Sequence, residues 1–213
     1  KPKKLTRATI AKNKGLEPLA TLILLQQPTH QTLTEIAEEF IDPEMDVNNA
    51  EEALQGAQDI IAEIISDDAD NRQFIREYSF KNGVLATKVK KDVGDEAAVY
   101  EMYFDYTEKI STLPSHRILA INRAEKQKIL SVKIDLETNK ILQYLENKHV
   151  LNSNSIFIDC LKNAVADSYS RLISKAIERE IRSALTEKAE KKAIQVFADN
   201  LKKLLLQPPL QNQ

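Results

Sequence analysis

Asn49-Ala50-Glu51-Glu52-Ala53-Leu54-Gln55-Gly56-Ala57-Gln58-Asp59-Ile60-Ile61-Ala62-Glu63-Ile64-Ile65 sets apolar residues three and four apart, so they share one side of an α-helix. Asn49 followed by Glu52 supplies the start: a short polar side chain accepts an orphan backbone N–H of the first turn. The spacing predicts an amphipathic helix of about four turns. Upstream, Thr32-Leu33-Thr34-Glu35 reads as a capping box opening a second apolar stripe, Ile36, Ala37 and Phe40, which Asp42-Pro43 ends. Downstream, Phe74, Ile75 and Tyr78 continue helically to Asn82-Gly83. There a glycine helix cap is favoured over a hairpin, because the preceding residues lack period-two alternation.

Farther out the pattern is less uniform. Residues 84–89 suit a short strand or a helix start equally, 90–96 an exposed loop, and 115–128 a helix. Leu130-Ser131-Val132-Lys133-Ile134-Asp135-Leu136 alternates as one short strand or hairpin. After Ser155, the residues Cys160, Leu161, Ala164, Tyr169, Leu172, Ile173, Ala176, Ile177 and Ile181 keep helical spacing. A further helix is expected from near Thr186, with Ala189, Ala193, Ile194, Phe197, Leu201, Leu204 and Leu205 turned inward and a stop at Pro208. Two long helices so close in sequence are expected to pack as an antiparallel pair. Four glycines, seven prolines and no tryptophan leave little material for the turns of a sandwich or barrel. The expectation is a mainly α fold, a helical scaffold divided into a region over 1–150 and a long helical pair over 151–213.

At 213 residues the chain is long enough to bury its own core. Cys160 is the single cysteine, so no internal disulfide forms and a cytoplasmic setting is expected. The longest apolar run, Leu22-Ile23-Leu24-Leu25, falls far short of a membrane span. An opening Lys1-Pro2-Lys3-Lys4 without methionine and a closing run from Pro208 to Gln213 are expected of a segment of a longer protein. Net charge is −2, but unevenly placed. Residues 1–14 hold six basic groups and no acid, whereas residues 32–77 hold fourteen acids against Arg72 and Arg76.

Catalytic and metal chemistry finds no support. His30, His116 and His149 are far apart and lack a His or Cys at ligand spacing. Asp67, Asp68 and Asp70 lack the glycine and glutamate of a calcium loop. Gly15, Gly56, Gly83 and Gly94 are isolated, so there is no phosphate-binding glycine loop. Cys160 sits on an apolar helix face, where a buried thiol is the ordinary occupant. No cofactor, metal or enzymatic activity is expected.

Three stretches carry a resemblance. They are Thr6-Arg7-Ala8-Thr9-Ile10-Ala11-Lys12-Asn13-Lys14-Gly15-Leu16-Glu17-Pro18-Leu19-Ala20; Pro114-Ser115-His116-Arg117-Ile118-Leu119-Ala120-Ile121-Asn122-Arg123-Ala124-Glu125-Lys126; and Asp167-Ser168-Tyr169-Ser170-Arg171-Leu172-Ile173 with Ile177-Glu178-Arg179-Glu180, Leu185-Thr186-Glu187-Lys188-Ala189-Glu190 and Asn200-Leu201-Lys202-Lys203-Leu204-Leu205-Leu206-Gln207-Pro208-Pro209. Together the chain resembles the bacterial Tex family of transcription accessory proteins. The resemblance implies the helical central portion of such a protein, with RNase-H-like, helix-hairpin-helix and S1 domains beyond it and the S1 domain as principal nucleic-acid contact. Ala124 stands where the family pattern has glycine, so a continued helix is expected there instead of a turn needing positive φ.

The resemblance makes RNA or DNA the expected partner, with RNA polymerase or the ribosome as a further one. Lys3, Lys4, Arg7, Lys12 and Lys14 form an acid-free run suited to phosphate, or else a solvated terminus. Arg171, Lys175, Arg179 and Arg182 recur at four- and three-residue spacing, as a basic stripe or as a solvated helix face with Glu178 interleaved. His116, Arg117, Asn122 and Arg123 are read as structural, capping a helix or pairing with carboxylates, in preference to binding. The leading expectation is a non-catalytic nucleic-acid-associated scaffold. The alternative is a protein-docking platform that uses the acidic stretch 32–77. Long terminal helices with an uncovered apolar face would also make the chain self-associate.

Overall fold

The computed structural model describes residues 5–91 and 93–206. Lys3, Lys4, Asp92 and Pro208 lie outside the described residues. The chain divides into two compact units, each assembled from two stretches. One takes in the chain up to Arg76 together with Glu137–Ile177; the other takes in Glu77–Leu136 together with the chain from Glu178.

The first unit is helical. Its central element is α4 (Ala50–Asp67), in the company of α1 (Arg7–Asn13), α2 (Glu17–Leu25) and α3 (Leu33–Glu38). The expected caps are formed: Asn49 Oδ1 accepts from Glu52 N at 2.8 Å, and Thr32 exchanges bonds with Glu35 in a reciprocal box, 3.3 and 2.7 Å. Most of the apolar stripe of α4 is covered, with Ala53, Ala57, Ile60, Ile61 and Ile65 fully buried, whereas Leu54 is half-buried and Ile64 is exposed at the edge of the stripe. Gly56 explains how α1 comes so close. A Cβ there would stand 2.3 Å from Leu16 Cδ1, so a glycine in mid-helix, which costs about 1 kcal/mol relative to alanine, seats the buried Leu16 in return. From the later stretch, α7 (Asn139–His149) and α8 (Ile158–Asp167) add the buried Ile141, Leu145, Leu161, Ala164 and Val165. Cys160 is buried among them, as its helix face implied, with Sγ accepting from Gln58 Nε2 at 3.6 Å.

Helix α5 (Ala69–Asn82) begins in the first unit, and its last turns, in the second, lead into β1 (Val84–Val89), which settles the ambiguity of residues 84–89 in favour of a strand. It is the middle strand of an antiparallel sheet ordered β2-β1-β3, with β2 at Asp105–Lys109 and β3 at Leu130–Asp135. The alternating 130–136 run is therefore not a lone strand but an edge partner: Ile134 and Glu108 both lie opposite Leu85. Gly83 follows the last residue of α5, where the cap reading placed it, and does so without positive φ. A close approach demands it instead, since a Cβ would lie 2.5 Å from Ser79 O and 2.6 Å from Ile110 Cδ1. The helix α6 (Ser115–Lys126) packs on β3, continues through the fully buried Ala124, and the left-handed residue falls at Lys128.

One expectation fails. No helix begins at Thr186 and no antiparallel pair forms: a π-helical turn, Ser168–Ile173, follows α8, and α9 then runs unbroken over Ser174–Leu205. Thr186 does not cap anything, because its hydroxyl donates back to Arg182 O at 2.8 Å, and neither glycine nor proline interrupts the stretch. Nor do Ile194, Phe197, Leu201, Leu204 and Leu205 turn inward; all are exposed, although Ala189 before them is buried.

Candidate nucleic-acid interface

The acid-free basic run of the sequence folds onto the acidic one. Thr6 caps α1 by accepting from Thr9 N at 3.0 Å while donating to Glu63 Oε1 at 2.9 Å, which lays α1 along α4. Lys12 then stands 3.8 Å from Glu63, and Lys14 donates to Asp46 at 2.7 Å both at its carboxylate and at its backbone oxygen. The Lys14 contact holds the Asp46 carboxyl below its ordinary pKa. Arg7 and Lys14 line one side of a cleft of about 230 Å³ whose other side presents Asp46, Glu52 and Asp59. A phosphate entering this cleft would meet carboxylates, which repel it.

Arg171, the first member of the proposed basic stripe, is spent inside its own unit. It forks onto Asp167 one turn earlier and reaches Asp59 of α4 at 3.3 Å, where the side chain of Asp59 is only 11% exposed. Burial raises the Asp59 pKa and Arg171 opposes that rise. Arg182, at the far end of the stripe, forms an ion pair with Glu125 of α6 and donates to Asn122 Oδ1 at 3.2 Å. Lys175 and Arg179 are exposed and also engaged in contacts. Arg171 thus lies in the π-helical turn and the other three cations in α9, and the four do not form one free basic face.

Of the quartet His116, Arg117, Asn122 and Arg123, two have side chains held by other parts of the chain. Arg117 donates to Tyr106 Oη at 2.8 Å and Glu108 Oε2 at 2.9 Å, with its guanidinium 5.6 Å from the Tyr106 ring centroid. The hydrogen bond from Tyr106, then burial opposed by Arg117, leaves Glu108 lowered, and Tyr106 is pushed up by burial. Asn122 donates to Thr186 Oγ1 at 2.8 Å, tying α6 to α9. His116 lies at the start of α6 beside a groove. His116 and Arg123 are the exposed members of the four, and Arg123 with Lys126 and Gln127 lines a cleft of about 600 Å³ that also holds Glu190.

A polar cluster escaped the sequence reading. Lys148 donates to Asp68 at 2.9 Å and to Asn71 Oδ1 at 3.0 Å, which fixes the Asn71 amide so that its nitrogen faces Ile65 O and His149 Nε2, 2.9 and 3.2 Å. An amide N–H can only donate, so His149 Nε2 must be an acceptor and the ring neutral with its proton on Nδ1. Burial, then the Lys148 charge, depresses the His149 pKa in agreement. Burial works against the Lys148 charge, but the Asp68 contacts outweigh it and hold its pKa above the ordinary value. Gln26, left-handed and 5% exposed, completes the knot by donating to His149 O at 2.7 Å and accepting from Leu151 N at 2.8 Å. The available signal was the Lys148-His149 pair at the end of α7, whose partners lie nearly eighty residues upstream. The cluster ties the end of α7 to the start of α5. Among the described residues no group of three or more His, Cys, Asp or Glu is placed to hold a metal, and no helix is long and apolar enough to cross a membrane.

Comparison with known proteins now adds what geometry leaves open. The chain is 46% identical to the YdcI protein of Bacillus subtilis across its whole length, covering 30% of that protein. It is 31% identical to the transcriptional accessory protein Tex of Neisseria gonorrhoeae, over 98% of the chain and 28% of that protein. It is 31% identical to the human S1 RNA-binding domain-containing protein 1, over 96% of the chain and 21% of that protein. The chain thus spans less than a third of the length of these relatives. A family model described as Tex central region-like matches residues 28–197, and with these relatives it establishes that the chain belongs to the Tex central region-like family.

Proposed function

We propose that this chain is the non-catalytic scaffold of a cytoplasmic transcription accessory protein, which holds nucleic-acid-binding parts in place and contributes little phosphate affinity itself. One observation carries the reading: four of the nine cations that the sequence nominates for phosphate contact are matched within the chain by carboxylates, Lys12 by Glu63, Lys14 by Asp46, Arg171 by Asp59 and Asp167, Arg182 by Glu125. A cation already paired releases few counterions on meeting a phosphate, so its net gain is small. The names of the relatives, a transcriptional accessory protein and an S1 RNA-binding domain protein, supply the nucleic-acid setting.

The test is fluorescence anisotropy of the chain against labelled single-stranded RNA and double-stranded DNA from low to physiological salt. The scaffold reading expects weak binding with a log–log salt slope of roughly one or two. Tight binding with a steep slope, removed by neutralising Arg7, Lys12 and Lys14, would make the chain a direct phosphate reader and overturn it.

A second reading has its own observation. Ile41 and Met45 are exposed amid Glu38, Glu39, Asp42 and Glu44, an apolar centre with an acidic surround suited to a basic protein surface on RNA polymerase or the ribosome. Reversing Glu38, Glu39 and Glu44 to lysine should abolish co-purification with that machinery, and retention would remove this reading.

A further inference from the structure

In the second unit the two edges of the sheet differ. Backbone bonds close both ends of the β1–β2 ladder, Val89 N to Phe104 O at 2.8 Å and Ile110 N to Gly83 O at 2.9 Å. Along an antiparallel pair, residues bonded to the neighbour alternate with residues whose N–H and C=O turn away. Tyr106 and Glu108 therefore face β1, and Asp105, Thr107 and Lys109 face outward. The same alternation turns Ile134 of β3 away from β1, and there Ile134 N donates to Glu178 Oε1 of α9 at 3.2 Å. The β2 edge has no such cover. Among the described residues nothing bonds to the outward groups of Asp105 and Thr107, and Lys109 O accepts only from Thr112 Oγ1, at 3.2 Å. All three residues are exposed, and neither charge has an ion-pair partner among the described residues.

Unpaired edge groups are a template for another strand, and edge charges ordinarily deter one. Here they deter every register but one. Asp105-Tyr106-Thr107-Glu108-Lys109 is its own complement when read antiparallel about Thr107: Asp105 falls opposite Lys109, and Thr107 opposite Thr107. Those are the residues whose backbone groups point outward, so the register that pairs the charges also pairs the N–H and C=O groups. A two-residue slip leaves neither charge opposite its counterpart. Asp105 already faces Lys88 across the β1–β2 ladder, so in this register it lies between two ammonium groups.

We propose that a second copy of this chain pairs antiparallel along the β2 edge, about a two-fold axis at Thr107, so that the two sheets become one. The contact is isologous and closes with two copies. It goes beyond the scaffold reading and does not depend on it, because oligomeric state and nucleic-acid affinity are measured separately.

Sedimentation velocity of the 213-residue chain over a range of concentrations should show a monomer–dimer equilibrium. Asp105→Lys or Lys109→Asp sets like charges opposite one another twice in the symmetric contact and should weaken it about tenfold or more. Combining the two substitutions should restore it. Thr107→Pro removes an outward N–H without touching the bonds to β1 and should abolish association, with the fold intact by circular dichroism. Cys160 is buried, so the new thiol of Thr107→Cys is the accessible one. The axis sets the two Cα atoms about 5.5 Å apart, within disulfide reach, so oxidation should link copies there and not through Ser131→Cys on β3 at the other edge of the sheet. A chain monomeric at every concentration would overturn the proposal, even if an extended peptide of unrelated sequence bound along β2. So would a dimer that the charge variants and Thr107→Pro leave unchanged, including one lost on Phe197→Asp, which would place the contact on α9.

Discussion

The helix α4 and the distal half of α9 have the same kind of sequence and opposite fates. Both repeat large apolar residues at three- and four-residue spacing, yet α4 buries Ala57, Ile60, Ile61 and Ile65 completely while α9 leaves Ile194, Phe197 and Leu204 in solvent. Glu63 and Asp59 of α4 and the nearby Asp46 meet Lys12, Arg171 and Lys14 from elsewhere in their own unit. A period establishes that a face is apolar; only the three-dimensional neighbours decide whether it is satisfied.

The largest expected effect lies in the α4 core. Ile61→Ala should cost about 2–5 kcal/mol by urea titration, because a fully buried side chain leaves a cavity, while Ile194→Ala should stay within about 0.5 kcal/mol. Comparable losses at the two positions would break the contrast. Next comes Arg171→Met, which strands the largely buried Asp59 and should cost about 2–3 kcal/mol. Adding Asp59→Leu should recover part of the loss, since an apolar pair no longer leaves a charge behind.

A pH titration sharpens the view of the first unit. The folded-state pKa of His149 is depressed, so the unfolded chain takes up a proton near pH 6.5 that the native state refuses. Stability from the neutral ring is present above that value and declines as pH falls toward the folded pKa, with a slope of no more than about 1.4 kcal/mol per pH unit. The lowered pKa of Asp68, which meets the same cluster through Lys148, acts in the same direction at more acidic pH. His149→Gln, which keeps an acceptor for Asn71 without titrating, should flatten the decline near pH 6; an unchanged slope in thermal melts would remove His149 from the account. The smallest effect is Lys14→Ala, about 0.2–1 kcal/mol for a partly exposed ion pair, with nucleic-acid anisotropy unaltered.

Much of the local structure was legible. The caps at Thr32 and Asn49, the α4 stripe, the buried Cys160, the continued helix through Ala124 and the alternation of 130–135 all follow from interactions within a few residues, which a linear reading reaches. Gly83 was legible as a helix end, but the close approach of Ile110 was not, because it is a contact with a residue farther along the chain. The candidate basic sites were legible as charge but not as availability. Arg7, Lys12 and Lys14 lack acids nearby in sequence and have them in space.

By itself the sequence determined a mainly helical chain, where its caps and stripes fall, and through the motifs of its three matching stretches the family to which it belongs. Tertiary structure alone decided that β1 is a strand paired on both edges, that Asn71, Lys148 and His149 form one lock, and that the α9 stripe is open where the α4 stripe is closed. The reason is physical: helix capping and periodicity are settled between residues a turn apart, whereas burial and charge pairing depend on groups brought together from distant positions in the chain.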